Sequence, residues 1–327
     1  MKVRNRSWIY SLLIIGLAII LTAGCKKEQP VTLPELSTAP LTDITSTSAI
    51  GGGSVISDGG AAVLARGICW SKKFNPALSD NFTSDGTGPG NFSSSITGLT
   101  SGIYYYVRAY ATNHVGTVYG NQFLFITPVA DIEGNLYRTV KIGNQVWMAE
   151  NLKTTRLNDN SAIANITDNE DWVSDTLNII PGYSWFKNDM RNKVTYGALY
   201  NWYTVNTGKL CPDGWHVPGE IEWMILTYYL GGEPVASGLL KEAGNEHWTS
   251  PNTGASNEFG FSALPGGYRT GFYPGSFRTK GYYGWWWTST ETNVNNARAR
   301  LMTYNGGNIS KGNGLKSNGY SVRCVKN

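Results

Sequence analysis

The chain has 327 residues, enough for two domains, and carries 39 Gly, 12 Trp and 19 Tyr but only 15% charged residues. So many aromatics exclude intrinsic disorder, and few charges among many glycines fit β-rich extracytoplasmic modules better than a helical enzyme. The formal charge is +4, but residues 1–24 hold three of the 27 basic residues and none of the 23 acidic ones, which leaves 24 against 23 and no footing for a nucleic-acid partner.

Those first residues have the composition of a targeting segment. Lys2, Arg4 and Arg6 precede an apolar run from Ile9 to Leu21 that is too short to span a bilayer comfortably. The run ends in Leu21-Thr22-Ala23-Gly24-Cys25, which resembles a bacterial lipobox, with Thr22 where Leu is usual. The expectation is a lipoprotein signal peptide over 1–24, a diacylglycerol on Cys25, and a tether over 25–40 that bears Pro30, Pro34 and Pro40. The alternative is an ordinary secretory signal with a chance cysteine. The first reading makes the membrane a partner and puts the protein in the cell envelope as an outer-membrane lipoprotein, on either the periplasmic or the surface face.

From 41 to 127 the pattern is strand and turn. Ser48–Ser57 and Ala61–Ser71 read as a hairpin across Asp58-Gly59-Gly60, followed by strands at Phe92–Ile96, Ile103–Thr112 and Gln122–Thr127. The spacing Leu99-x-x-Gly102-x-x-Tyr105 resembles the tyrosine corner of fibronectin type III and other immunoglobulin-like sandwiches, in which a Tyr hydroxyl pins a corner backbone. Alternation then sends Tyr105, Val107, Ala109 and Ala111 to the core, and Tyr104, Tyr106, Arg108 and Tyr110 to a solvated face rather than a binding stripe.

Pro128 to Asp131 marks a boundary. Leu136–Ile142, a Gly143-Asn144 turn and Gln145–Met148 predict a hairpin, and the aperiodic stretch 158–191 reads as long loops. A helix starts at Tyr196-Gly-Ala-Leu-Tyr-Asn-Trp-Tyr203. A clearer one covers Glu220–Leu230, with Gly219 as N-cap, Glu222 three residues on, Gly231-Gly232 as the stop, and Ile221, Met224, Ile225 and Tyr228 as its apolar face. A second short helix is expected over Val235–Ala243. Of the cysteines after Cys25, Cys211 and Cys324 flank the dense motif blocks of this half and are expected to pair, while Cys69 sits in a strand as a small buried hydrophobe.

Residues 131–327 resemble the Fibrobacter succinogenes major paralogous domain family, common in Bacteroidetes-type surface and secreted proteins. The motifs that carry the likeness are Val140-Lys-Ile-Gly-Asn-Gln-Val-Trp-Met-Ala-Glu-Asn-Leu, Tyr196-Gly-Ala-Leu-Tyr-Asn-Trp, Gly214-Trp-His-Val-Pro, Trp248-Thr-Ser-Pro-Asn-Thr-Gly-Ala, Phe261-Ser-Ala-Leu-Pro-Gly-Gly-Tyr-Arg, Trp285-Trp-Trp-Thr-Ser-Thr-Glu and Tyr320-Ser-Val-Arg-Cys-Val. The Gly-Trp-His-Val-Pro block and the closing Val-Arg-Cys-Val also look like the formylglycine-generating-enzyme type of C-type-lectin-like fold. That likeness implies an irregular α+β domain whose termini meet in one sheet. Residues 41–127 look like the fibronectin type III-like modules that precede such domains as spacers.

The expected fold is therefore multidomain, an all-β immunoglobulin/fibronectin type III-like sandwich followed by an irregular α+β C-type-lectin-like domain. Three successive tryptophans on a strand cannot all point into one core, so Trp285, Trp286 and Trp287 are candidate ligand contacts. Tyr268, Arg269, Tyr282 and Tyr283 join them from Gly-rich loops. Packing around a buried sheet, with Trp286 alone near the surface, is the alternative. Tyr105, Trp215 and His216 read as structural. No metal and no cofactor is expected: His114, His216 and His247 lack ligand spacing, Glu233-Pro234-Val235 lacks the amide of a calcium lectin loop, and no opposed carboxylate pair stands out. Two cysteines paired with each other leave none for the copper-dependent oxidases of the related fold. The reading is a lipid-anchored, non-catalytic binding or adhesion module for glycan or protein. A structural envelope component and a hydrolase with an unrecognised carboxylate pair are the alternatives.

Overall fold

The computed structural model describes residues 30–178 and 180–327, so the leader, Cys25 and most of the tether lie outside the described residues. The first half is a β-sandwich. One sheet pairs β1 (Glu35–Thr38), β2 (Ala49–Ser57) and β5 (Gly90–Ile96). The other runs β4 (Asn81–Phe82), β3 (Ala65–Ser71), β6 (Tyr104–Thr112) and β7 (Thr117–Tyr119), with β8 (Phe123–Ile126) also on β6. The hairpin expected across Asp58-Gly59-Gly60 is therefore corrected: β2 pairs with β1 and β5 while β3 pairs with β4 and β6, so the turn carries the chain from one sheet to the other. Local turn chemistry marks a reversal but cannot say which sheet receives the next strand.

The corner forms as its spacing implies. Thr100 N donates to Tyr105 Oη at 3.0 Å, and the Tyr105 ring is buried on Phe125. Val107, Ala109 and Ala111 share its side of β6 and are buried with Ile68 and Ile96 between the sheets. On the opposite side Tyr104, Tyr106 and Arg108 are half-buried, but Tyr110 departs from the solvated face. It is buried because its hydroxyl donates to Thr83 O at 2.7 Å, which satisfies the one polar atom. Cys69 is buried and unpaired, and burial pushes its thiol up to about 12.

The second half is an α+β module of small sheets. β9 (Val129–Ala130) pairs with β10 (Leu136–Tyr137), and β11 (Thr139–Ile142) turns through Gly143, at φ +59°, into β12 (Gln145–Met148). Within 158–191, read as loops, lie β13 (Ala164–Asn165), α1 (Asn169–Asn178) and β14 (Gly182–Ser184). Their apolar periodicity is weak, and Arg269, far along the chain, holds this stretch by donating to the carbonyls of Ile166, Thr167 and Asp168. The helix expected from Tyr196 is also corrected. α2 (Asn192–Tyr196) stops at Gly197 with φ +70°, β15 (Leu199–Tyr200) pairs with β14, and α3 (Trp202–Val205) starts only after the Asn201 Oδ1 cap accepts from Thr204 N.

β16 (Trp215–His216) and the terminal β22 (Val325–Lys326) join β12, so both ends of the module meet in one sheet in the order β11-β12-β22-β16. α4 (Glu220–Tyr229) and α5 (Glu233–Leu240) follow, α4 capped by Glu222 Oε2, which accepts from Gly219 N at 2.7 Å. α4 buries Trp223, Leu226 and Leu230 rather than Ile221, Met224, Ile225 and Tyr228, all four of which are exposed. Apolar residues surround this helix almost completely, so the larger Trp223 ring, seated 4.9 Å from Trp147, decides which side faces in. β17 (Tyr268–Arg269) pairs with β18 (Phe277–Arg278), and β19 (Tyr283–Glu291), β20 (Asn296–Thr303) and β21 (Ile309–Leu315) form the longest sheet of the module.

The halves touch at the sandwich corner. Gly102 sits at φ +65° with the Trp215 ring 2.9 Å from where a Cβ would stand, and Lys326 Nζ donates to Gly102 O at 2.8 Å. Cys211 and Cys324 are joined by a disulfide across a sequence separation of 113 residues. Replacing both by Ser removes a cross-link of that span, worth about 4–5 kcal/mol on chain-entropy grounds. Urea unfolding of the double variant is expected to show that loss, whereas an unchanged midpoint would mean that packing alone restrains the unfolded chain.

Candidate functional site

The tryptophan triplet runs from the third residue of β19 to its middle, and the pleat sends Trp285 and Trp287 to one face and Trp286 to the other. Each ring lies on a glycine. A Cβ at Gly314 would stand 2.7 Å from the Trp287 ring, one at Gly312 would stand 2.9 Å from Trp285, and one at Gly284 would stand 2.3 Å from Trp286. Ala299 on β20, between Trp287 and Gly312, keeps the seat flat. The Gly and Ala content of β20 and β21 is thus the steric complement of the indoles.

Polar atoms then fix the rings. Trp287 Nε1 donates to Tyr200 O at 2.8 Å, and Trp286 Nε1 donates to Asn151 Oδ1 at 2.9 Å. Arg323 Nε donates to that same Oδ1, and its other nitrogens reach Phe261 O and Ser262 O. The Arg323 guanidinium lies 4.2 Å over the Phe261 ring, and burial lowers its pKa to about 9. Arg269 plays the same part for the loops. Its guanidinium donates to the carbonyls of Ile166, Thr167, Asp168 and Gly275 and lies 4.5 Å over Trp172; burial lowers its pKa to about 10.

Three expected ligand contacts are corrected by this arrangement. Trp286, Trp287 and Arg269 are each 0% exposed. The two indoles are sealed by cores on both faces of β19, and the guanidinium is consumed by backbone carbonyls. Trp286 is also not the ring nearest the surface.

Trp285 remains half-buried and anchors a small aromatic platform. It stacks on Tyr320 with ring centroids 5.0 Å apart and planes 13° apart, while Tyr268 meets it edge-on at 6.2 Å. Trp285 Nε1 has no protein hydrogen-bond partner. Tyr320 is buried beneath, with its hydroxyl accepting from Asn318 Nδ2 at 2.8 Å. Tyr283 is half-buried at the start of the strand, and exposed Tyr282 instead meets Tyr304 edge-on at 5.2 Å. The aromatic rank of Tyr320 was not legible, because a closing motif gives no sign of which ring it lies under.

Trp215 is buried, and His216 lies within 2.6 Å of both Asn327 Oδ1 and Glu222 Oε1. The fold also assembles a trio that spacing did not reveal. Glu242, Glu246 and His247 each offer one ligand atom within 4.8 Å of the others, with His247 Nδ1 2.8 Å from Glu242 Oε1. Among the described residues they form the group whose ligand atoms lie close enough to hold a divalent cation. Two cavities, of about 250 and 370 Å³, lie where the sandwich meets the second module, the larger lined by Ile44, Ile126 and Pro128 on one side and Val140 and Ala149 on the other.

Residues 140–326 match the family model of the Fibrobacter succinogenes major domain. No curated protein matches the sequence. Among solved structures, the chain is similar to the sensor domain of the anti-sigma factor RsgI4 of Pseudobacteroides cellulosolvens, at 19% identity over 31% of this chain and 99% of that chain, with a TM-score of 0.24. It is likewise similar to the sixth fibronectin type III domain of human fibronectin type III domain containing protein 3, at 23% identity over 32% of this chain and 93% of that one, with a TM-score of 0.25. Scores this low support no inference about partners.

Truncating the two indoles of one face separates scaffold from platform. Trp287→Ala is expected to cost about 3–5 kcal/mol in chemical denaturation, and Trp285→Ala clearly less because part of its ring is already in water. Equal losses would make Trp285 a core residue and remove the platform.

Proposed function

The chain belongs to the Fibrobacter succinogenes major domain family, and from that premise we propose a non-catalytic binding module of the cell envelope that recognises a glycan or a protein. The proposed setting is a lipid anchor at Cys25 in the outer membrane, with a fibronectin type III-like spacer over 41–127 and a C-type-lectin-like domain over 131–327. The meeting of β11-β12 with β22 and β16 in one sheet supports the lectin-like reading of the fold.

One observation carries the binding proposal. Trp285 is half-buried on a rigid strand, stacked on Tyr320 and flanked by Tyr268, so part of a fixed indole is left in water. A fixed indole face stacks on sugar C–H surfaces or apolar peptide side chains with little entropy to lose, and such anchors dominate interface energetics. A hydrolase would need carboxylates opposed across a cleft. Glu242 and Glu246 instead belong to one loop, and Glu242 is engaged by His247. The structural-component reading draws on the burial of Trp286, Trp287 and Arg269, which puts most of the motif residues to scaffold use.

A glycan and peptide array separates these readings. A bound ligand is expected, with Trp285→Ala and Tyr268→Ala each weakening it about tenfold or more, equivalent to about 1.4 kcal/mol. No binding at all would favour the structural component, and binding unaffected by either substitution would move the site elsewhere. For the anchor, Cys25→Ala is expected to abolish metabolic acyl labelling and membrane retention; a variant that keeps both would remove the lipoprotein assignment.

A further inference from the structure

The outward side of α4 carries the largest apolar side chains left open on any one helix of the described residues. Ile221 is 72% exposed, Met224 48%, Ile225 51%, Tyr228 87% and Tyr229 56%. Steps of three, one, three and one residues place all five on one face. The inward face is already complete with Trp223, Leu226 and Leu230, so the open stripe is not a core awaiting its own chain.

The stripe is also held rigidly. Glu220 pairs with buried Arg300 of β20 at 2.8 Å, and Glu222 caps Gly219 N while engaging His216. At the other end Tyr229 packs over Gly143, where a Cβ would stand 2.9 Å from its ring, and meets Phe259 edge-on at 6.1 Å. A surface fixed at both ends loses little freedom when it is covered.

We propose that this stripe docks a second copy of the same chain, α4 against α4 in antiparallel sense about a two-fold axis. Side chains of these sizes at these exposures leave on the order of 650 Å² per copy, so a pair that covered the whole stripe would bury about 1,300 Å², at the lower end of specific interfaces. A two-fold interface pairs residue i with j and j with i, and only residues on the axis meet their own equivalents, so a charge at the axis meets its like. This stripe has none, and both acids of α4 are already paired inward or at its cap. A membrane surface fits less well. Helices that lie on bilayers flank their apolar face with Lys or Arg, and α4 has neither.

The test uses the full-length chain. In membranes under mild oxidation, Ile225→Cys is expected to give a disulfide-linked dimer, and adding Tyr228→Asp to that variant is expected to remove it. Val194→Cys, at a position 80% exposed on α2, serves as the control and is expected to stay monomeric. In parallel, the detergent-solubilised wild-type chain should sediment at twice the monomer mass at about 100 µM, a concentration that saturates a micromolar self-affinity. Tyr228→Asp should halve that mass with an unchanged far-ultraviolet spectrum, since the side chain touches solvent. A wild-type monomer at that concentration, cross-linking equal at Val194→Cys, or a monomer that partitions onto zwitterionic vesicles through α4 would each overturn the proposal.

Discussion

The side-chain amide of Asn151 is the point on which the second module closes. Its Oδ1 accepts from both Trp286 Nε1 and Arg323 Nε, and its Nδ2 donates to Tyr196 O and Ser321 Oγ. Three segments remote in sequence, around 196, 286 and 321–323, therefore converge on one buried side chain. In a low-dielectric interior such a network is stabilising only when complete, because each unpaired member carries its full desolvation cost. Arg323 is the extreme case, a fully buried cation with three oxygen acceptors and an aromatic face in place of a carboxylate. The adjacent Cys324 is tied to Cys211, so covalent and polar closure meet at consecutive residues.

Around that point the aromatic and glycine content becomes a single packing device. Each indole of the triplet needs a flat seat, and Gly284, Gly312 and Gly314 supply it by having no Cβ. Because β19 has a core on both faces, the same device that makes the blocks conspicuous also hides most of them. Trp285 escapes because it lies toward the start of the strand, where cover is incomplete, and Tyr320 stiffens it from below. Rigidity and partial exposure together are why the proposed contact falls on it.

Elements with their own local chemistry were legible in the sequence. The β11–β12 turn at Gly143, the α4 cap at Gly219 and Glu222, the Tyr105 corner and the Cys211–Cys324 pair all rest on a few residues close together or on a forced choice. What escaped depended on distant partners. Whether Asp58-Gly59-Gly60 closes a hairpin or crosses between sheets is decided by β5 and β6. Stretch 158–191 has structure because Arg269 collects its carbonyls from a hundred residues away. For α4 the period was right and the phase wrong: an apolar set at 221, 224, 225 and 228 and another at 223, 226 and 230 are both helical, and only the position of Trp147 chooses between them.

That choice of phase has a geometric consequence. α4 packs with Trp286 on one face of the β19–β21 sheet, while Trp285 lies on the other. Self-docking through α4 would therefore leave both Trp285 platforms uncovered and directed away from the two-fold axis. Lys326 and Trp215, which seat the module on the Gly102 corner, belong to a different sheet and would be undisturbed. Two weak platforms held by one rigid pair would engage a repetitive ligand such as a polysaccharide with an effective local concentration that a single platform lacks. On the two proposals together, a shallow aromatic patch that is marginal in one copy would become sufficient in two, and the exposed face of α4 would be what pairs them.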